Sequence, residues 1–239
     1  MGVRGASLCR HAHLALLDTP HFGLVYSPGR NAGPPLGHSP SPIRLPRYLF
    51  WWGEIYWPFR NRGVFYLTID DGPEPEALSV LVPLMRQYGA RATFFWLGEK
   101  VETCISRLDL ASLYAEGHRV ALHGYAHVSP WRLSHRAWMA DVGRGFHVLS
   151  GWLPEEPRYY RPPYGRYRPL RGSWSLRTVL WDLMPPDYRL QKGWAAPAVQ
   201  KLRPGDIVVL HERKEADWEE WEAFLWGAAQ KGLQALALP

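Results

Sequence analysis

Two aspartates stand side by side in TIDDGPEP (residues 68–75), and adjacent carboxylates can divide a reaction between them. Asp70 and Asp71 follow VFYLTI (Val64 to Ile69), whose β-branched and aromatic residues predict a buried strand. Neighbouring residues at a strand end point in different directions, so one carboxylate can bind a metal ion while the other accepts a proton. The residues alone leave open which aspartate does which. A turn with an aspartate capping the next helix is the plain structural alternative.

Polar or ionisable side chains also lie at the ends of four further predicted strands, RVAL, RYYR, TVLW and DIVVL. These residues are, in chain order, His123, His127, Arg161, Asp182, Asp187 and His211. Each has an ordinary explanation when taken alone, such as a surface HxxxH turn or a core histidine with satisfied ring nitrogens. The carboxyl ends of parallel strands meet at one rim, however, and five strands ending in this way favour a shared site.

A metal site follows from the two histidines in HGYAH. His123 and His127, together with one of the two aspartates, form a His₂-carboxylate donor set that leaves coordination positions open. Such a set is typical of a catalytic divalent metal site, for which Zn²⁺ is the first expectation. Co²⁺, Mn²⁺ and Ni²⁺ also suit these ligands.

Strand and helix patterns alternate from Val64 to the end of the chain. Apolar strands that alternate with amphipathic helices predict an α/β fold with a parallel sheet covered by helices. We expect a single distorted (β/α) barrel of about seven parallel strands with helices outside. A chain of 239 residues is long enough for one sizeable domain of this kind.

Residues 1–46 differ from the rest of the chain. The segment SPGRNAGPPLGHSPSPIRLP (Ser27 to Pro46) is dense in Pro, Gly and Ser and shows no periodicity. The sequence therefore predicts an irregular or disordered lead-in over residues 1–46 and a catalytic domain over residues 47–239. Residues 1–53 hold five arginines and one acid, a net charge of +4, which leaves +2 for residues 54–239. No basic stripe for nucleic acid is evident in that nearly balanced remainder.

The two cysteines, Cys9 and Cys104, form no CxxC pair, so neither a zinc knuckle nor a redox motif is indicated. No apolar run approaches the length of a membrane span. The only apolar stretch near the start, His13 to Leu17, is too short for a signal peptide. With Met1 as the start, the sequence predicts a cytoplasmic protein. An extracytoplasmic location follows if the N-terminus is mis-assigned.

The segments TIDDGP, HGYAH, RPPYG, PPDY and VVLHE resemble, in order and approximate spacing, the five motifs of the polysaccharide deacetylase family, carbohydrate esterase family 4. The resemblance spans about Leu49 to Leu238 and does not cover residues 1–46. It implies an enzyme that removes N-acetyl groups from chitin, chitooligosaccharide or peptidoglycan. An N-acetylated oligo- or polysaccharide is the expected partner.

The resemblance also implies a role for each matched residue. Asp70 would be the general base, and Asp71 would bind the metal ion together with His123 and His127. Arg161 would pair with Asp70 and hold it ionised and oriented.

The remaining motifs would supply the oxyanion donor and the acid. The backbone N–H of Tyr164 would help to bind the oxyanion, and His211 would be the general acid, oriented by Asp187. Two departures from the family pattern lie beside these groups: Tyr188 stands where Trp is usual, and Glu212 where Asp is commoner.

A third departure concerns the metal site. Gly124 stands where the family usually has Ser or Thr, so the hydroxyl that steadies the second histidine is missing. Loss of such support commonly costs ~10–100-fold in metal affinity or activity. Two alternative functions therefore stay open, namely a catalytically impaired sugar-binding relative and a hydrolase of a non-sugar amide or imide. An exposed Trp131 would favour a sugar, because flat aromatic faces stack on pyranose rings.

Overall fold

The computed structural model describes residues 41–45, 55–58, 63–104, 107–170 and 174–239, without the side chains of residues 107–109. Most of the predicted lead-in, residues 1–40, lies outside the described residues. The described strands are β1 (Ile43–Arg44), β2 (Val64–Gly72), β3 (Thr93–Trp96), β4 (Arg119–Leu122), β5 (Tyr159–Tyr160), β6 (Arg177–Thr178), β7 (Leu183–Met184), β8 (Ile207–His211) and β9 (Gln234–Leu236). The α-helices are α1 (Pro75–Gln87), α2 (Gly98–Cys104), α3 (Arg107–Ala115), α4 (His135–Trp152), α5 (Ala195–Lys201) and α6 (Trp218–Gln230).

These strands form one sheet in the order β1-β7-β8-β2-β3-β4-β5-β6, and β9 pairs with the start of β2. The ladders are parallel except for the antiparallel pair of β1 and β7. The predicted fold class, an α/β barrel-like fold, is therefore confirmed. Among the described residues it has nine strands rather than about seven, and no ladder joins β6 to β1, so the sheet curls without closing.

The central strand β2 separates two apolar cores. Because successive side chains of a strand point to opposite faces, Phe65, Leu67 and Ile69 pack on one side of the sheet among helix residues. Tyr66, on the other face, joins Phe95 and the interior-facing side chains of neighbouring strands. Both faces of β2 are thus buried, which explains why its sequence reads as a continuous apolar run.

Strand β1 lies inside the segment that the sequence assigned to an irregular lead-in. Arg44 holds it in place, because its guanidinium donates to both carboxylate oxygens of Asp206 at 2.9 Å and to the carbonyl of Lys201 at 2.7 Å. The Asp206 side chain is fully buried in this pair. A two-residue strand anchored by one arginine shows no periodicity, so composition alone misses it.

Helix α4 begins after Ser134, whose hydroxyl accepts a hydrogen bond from the N–H of Ala137 at 3.2 Å. This is an N-cap, which satisfies one of the free N–H groups of the first turn. Its apolar face, which includes Trp138 and Val142, packs into the core on the helix side of the sheet. In the part of the chain that the structure describes, no helix is both long and apolar enough to cross a bilayer.

Candidate active site

The carboxyl ends of neighbouring parallel strands bring the predicted site residues together. Asp70 and Asp71 lie at the end of β2, His123 follows β4, Arg161 follows β5, and His211 ends β8. Of the two aspartates after TVLW, Asp187 reaches the site. Asp182 does not share its role, because its carboxylate accepts from the N–H of Ile207 at 2.8 Å within the sheet.

A β-bulge makes the two aspartates point in different directions. Asp70 pairs with Phe95 and Gly72 pairs with Trp96 on β3, so Asp71 is an extra residue in the ladder. Its backbone has φ 75°, in the left-handed region. A bulge of this kind re-aims the side chain of the extra residue, which explains how adjacent carboxylates reach different partners.

Asp71 and the two histidines form the candidate metal site. The Oδ1 atom of Asp71 lies 3.4 Å from Nε2 of His123 and 3.1 Å from Nε2 of His127. One ligand atom from each residue lies within 4.8 Å of the others. The other ring nitrogen of His123 bonds to the carbonyl of Arg161 at 2.8 Å, which assigns its proton to Nδ1 and leaves Nε2 free as a ligand. Two imidazole nitrogens and a carboxylate oxygen fit a divalent ion with open positions.

The carboxylate of Asp71 is held in its ionised form. Burial alone would raise its pKa, but the adjacent His123 and His127 outweigh burial and hold the pKa well below its ordinary value. Metal ligands must be deprotonated to bind, so this electrostatic setting favours metal capture.

Asp70 is paired with a buried cation. The guanidinium of Arg161 is fully buried and donates to Oδ1 of Asp70 at 2.7 Å and to the hydroxyl of Thr68 at 2.8 Å. It also donates to two backbone carbonyl oxygens at 3.1 and 3.2 Å, so its orientation is fixed from several sides. The second oxygen of Asp70 lies 3.9 Å from Nε2 of His123 and therefore faces the candidate metal site.

His211 and Asp187 form a second pair at the same rim. The Nδ1 atom of His211 lies 2.9 Å from Oδ1 of Asp187, and the other carboxylate oxygen accepts from the backbone N–H of His211 at 2.6 Å. Burial would lower the pKa of His211, but the charge of Asp187 and its hydrogen bond raise it to about 9. A histidine in this setting is protonated at neutral pH and can donate a proton. Tyr188, the departure from the usual Trp, lies with its ring 5.5 Å from that of His211.

Tyr164 lies in a short 3₁₀ turn, Pro163–Gly165, next to the histidines. Its ring centroid is 4.6 Å from that of His127, and 57% of the residue is exposed. Its backbone has φ 59°, an uncommon conformation for a residue with a side chain. Backbone of this kind is often found at functional sites. The oxyanion role of its N–H stays a prediction.

The loop between the two histidines is supported by a residue that sequence reasoning missed. The carboxylate of Asp141 on α4 accepts from the N–H of Tyr125 at 3.0 Å and from that of Ala126 at 3.2 Å. It approaches so closely that a Cβ on Gly124 (φ 92°) would lie 2.9 Å from its Oδ2 atom. A carboxylate from another element thus steadies the loop that carries Gly124. The sequence carries no signal for it, because the contact depends on how α4 docks.

We expect Asp141→Ala to weaken metal binding by ~10–100-fold, the usual effect of removing a group that orients a ligand loop. Zinc affinity, measured by competition with a chromogenic chelator, checks this expectation. Asp141→Asn keeps one acceptor oxygen and should lose less than the alanine variant. Equal affinities in all three proteins would show that the loop needs no support from α4.

Glu212 supports the other ligand-bearing loop. Its buried carboxylate accepts from the backbone N–H of Glu74 and from the indole N–H of Trp96, the latter at 2.9 Å. Gly72 packs directly against this carboxylate, so no side chain fits there. Burial raises the pKa of Glu212 to about 7. The position noted in the sequence as a departure therefore anchors the loop that follows Asp71.

Comparisons with known proteins show the family to which the chain belongs. The family model for polysaccharide deacetylase matches residues 60–171. A chitooligosaccharide deacetylase of Bradyrhizobium sp. is 30% identical over 160 residues, which cover 62% of this chain and 69% of that protein. The chain belongs to the polysaccharide deacetylase family. The predicted family is therefore confirmed.

Further members of the polysaccharide deacetylase family are similar over most of the described chain. A peptidoglycan-N-acetylglucosamine deacetylase of Bacillus cereus is 28% identical over 174 residues, covering 67% of this chain and 78% of that protein. The solved structure of the peptidoglycan deacetylase PdaC from Bacillus subtilis superposes with a TM-score of 0.65 at 26% identity, covering 73% of this chain and 87% of that chain. As a polysaccharide deacetylase, the protein is a hydrolase of carbon–nitrogen bonds other than peptide bonds.

Proposed function

We propose that this polysaccharide deacetylase removes acetyl groups from an N-acetylated saccharide of the chitooligosaccharide or peptidoglycan type, in a metal-dependent reaction that releases acetate. One observation carries the proposal. Asp70, clamped by Arg161, turns its second oxygen toward the His₂-carboxylate set, 3.9 Å from Nε2 of His123. A base and a metal site thus face the same space, as amide hydrolysis by water requires.

Asp71, His123 and His127 would hold the divalent ion. Zinc is the first choice because imidazole and carboxylate suit it, and cobalt, manganese and nickel are compatible with the same donors. When bound, such an ion lowers the pKa of water and polarises the carbonyl of the acetamide.

The residues around this site would carry the proton transfers. Asp70 accepts the proton of the attacking water, and its fixed hydrogen bond to Arg161 keeps the carboxylate oriented for that transfer. The N–H of Tyr164 donates to the oxygen of the acetamide as charge develops on it. The carbon–nitrogen bond then breaks, and His211 gives its proton to the departing nitrogen. The products are acetate and a free amino sugar.

An exposed tryptophan favours a sugar over a non-sugar amide. Trp131 is 51% exposed, and its indole N–H donates to the carbonyl of Tyr167 at 3.0 Å, which fixes the ring. The exposed part of this ring, held beside the chain segment that follows Tyr164, is suited to stacking on a pyranose ring. The two intact pairs, Asp70 with Arg161 and His211 with Asp187, favour turnover over binding alone.

Acetate release from N-acetylglucosamine oligomers, measured with added Zn²⁺ or Co²⁺, tests the proposal. We expect release that depends on the added metal and is abolished by a chelator. A protein that binds metal but releases no acetate would point to a non-sugar amide. A protein that binds no metal and releases no acetate would support the binding-module alternative.

The role of His211 as the general acid predicts a specific pH dependence. His211 donates only when it is protonated, and its pKa is raised to about 9, so activity should persist to about pH 9 and fall above it. Asp187→Asn removes the charge that raises this pKa while burial, which lowers it, remains. The alkaline limb of the kcat/KM profile, which reports the free enzyme, should therefore move to lower pH by about one unit or more. An unmoved limb in this variant would exclude His211 as the acid.

A further inference from the structure

Two loops beside the candidate metal site are joined by three hydrogen bonds into one surface, which we call the platform. One is the 3₁₀ turn Pro130–Arg132, and the other follows Tyr164. Arg168 donates to the carbonyls of Pro130 and Leu133 at 2.9 and 3.1 Å, and the indole of Trp131 donates to Tyr167 across the same gap. The platform adjoins the metal site through the contact of Tyr164 with His127. A saccharide that extends from the metal site past Tyr164 would lie against it.

This platform carries two arginines, Arg132 and Arg166, that form no ion pair with an acid of the described residues. The guanidinium carbon of Arg166 lies 4.5 Å from the centre of the Trp131 ring. Arg132 is exposed and directly follows Trp131 in the turn Pro130–Arg132, and its charge opposes the rise in the pKa of Tyr164 that burial and Asp71 cause. Among the described residues, neither Arg132 nor Arg166 has a carboxylate within 4.0 Å.

A third arginine, Arg213, lies beside the metal ligand Asp71. Nη2 of Arg213 is 3.5 Å from Oδ2 of Asp71, and its buried Nε has no hydrogen-bond partner in the described structure. The carboxylates of the site are already engaged, Asp70 with Arg161 and Asp187 with His211. The rim consequently presents more positive than negative charge to a bound saccharide, even before a metal ion is counted.

We propose that Arg132 and Arg166 form a subsite for a carboxylate carried by the saccharide, so that the preferred substrate is an acidic N-acetyl sugar rather than a neutral one. The proposal rests on the deacetylase function proposed above. An arginine fork matches a carboxylate with two parallel hydrogen bonds, which lysine does not provide. Stacking on Trp131 restricts the guanidinium of Arg166, so less conformational freedom is lost on binding.

The test compares one acidic saccharide in two forms. An N-acetylmuramic acid disaccharide with a free lactyl carboxylate and the same disaccharide with that carboxylate amidated differ only in charge. We expect kcat/KM of the wild-type protein to be about tenfold higher for the free acid than for the amide, because charge-assisted hydrogen bonds of this kind have about that effect. The difference should come from a lower KM for the free acid. Arg166→Gln and Arg132→Gln should each reduce this ratio toward one. Arg203→Gln, the same charge change at an exposed position before β8, should retain it.

Binding measured without turnover separates this proposal from the proposed function. In the Asp70→Asn background, the free acid should still bind more tightly than the amide, as titration calorimetry would show. Equal KM values and equal binding of the two forms would overturn the subsite, whether or not acetate is released. A second result would also overturn the subsite, namely equal KM values for the two forms together with strong inhibition by acetate that weakens in Arg166→Gln. The arginines would then bind the acetate product and not the saccharide.

Discussion

Asp70→Asn should lose ~10²–10⁴-fold in kcat and still bind the metal ion, because the change removes a base without moving a ligand. Asparagine has nearly the same shape, and its carbonyl oxygen can still accept from Arg161, so the buried guanidinium keeps its partner. It cannot accept a proton from water at neutral pH. The ligand Asp71 lies on the bulge next to it and keeps its own contacts with the two histidines.

Asp71→Asn is the matched control, since it makes the same chemical change one residue away. In that variant metal affinity should fall, and activity should recover partly when excess metal is added. In Asp70→Asn excess metal should restore nothing. Chelator competition and acetate release measured on both proteins distinguish the two patterns. Retained turnover in Asp70→Asn would mean that another group takes the proton.

Arg161→Met should destabilise the metal-free protein by about 3–5 kcal/mol, the usual result of breaking a buried ion pair by removing one partner. The methionine fills part of the space but leaves Asp70 as a buried carboxylate without its cation. Thr68 loses a donor to its hydroxyl, and two backbone carbonyls lose their partner as well. Urea unfolding in the presence of a chelator measures this loss without a contribution from metal binding.

A double variant shows how much of that loss comes from the unpaired charge. Adding Asp70→Asn to Arg161→Met removes the buried negative charge, so part of the stability should return. Activity should not return, since both the base and the residue that orients it are absent. If the double variant loses, relative to the wild type, the sum of the losses of the two single variants, the pair is not coupled. The interpretation of Arg161 as the partner of Asp70 would then be wrong.

The parts of this molecule that could be predicted from sequence are those encoded in one local pattern. VFYLTI and DIVVL are apolar runs that read as strands; β2 begins with the first and continues to Gly72, and β8 starts inside the second and ends at His211. The two-residue strands β1 and β7 were not predicted, because such strands are defined by their partners rather than by their own residues. The additional strands and the antiparallel edge of the sheet were missed for this reason.

The site residues also divide into those that a local sequence pattern shows and those that depend on packing between distant elements. Strand-end residues such as His123 and Arg161 could be found because the chain order of strands places them at one rim. Asp141 could not be found, since its role depends on the docking of α4 against a loop that is remote in sequence. The different directions of the two aspartates likewise depend on a bulge, and the sequence shows only that two carboxylates are adjacent. The resemblance to a family supplied what the residues left open.

The bulge at Asp71 has a consequence for how this chain can change by insertion and deletion. Asp71 occupies no place in the ladder between β2 and β3, since Asp70 and Gly72 pair with consecutive residues. Deleting one aspartate would therefore leave a strand of regular register, with the remaining carboxylate committed to Arg161 and none directed at the histidines. A single-codon loss at this point would preserve the sheet and remove the metal site. At this position, therefore, the fold can be kept while the metal site is lost.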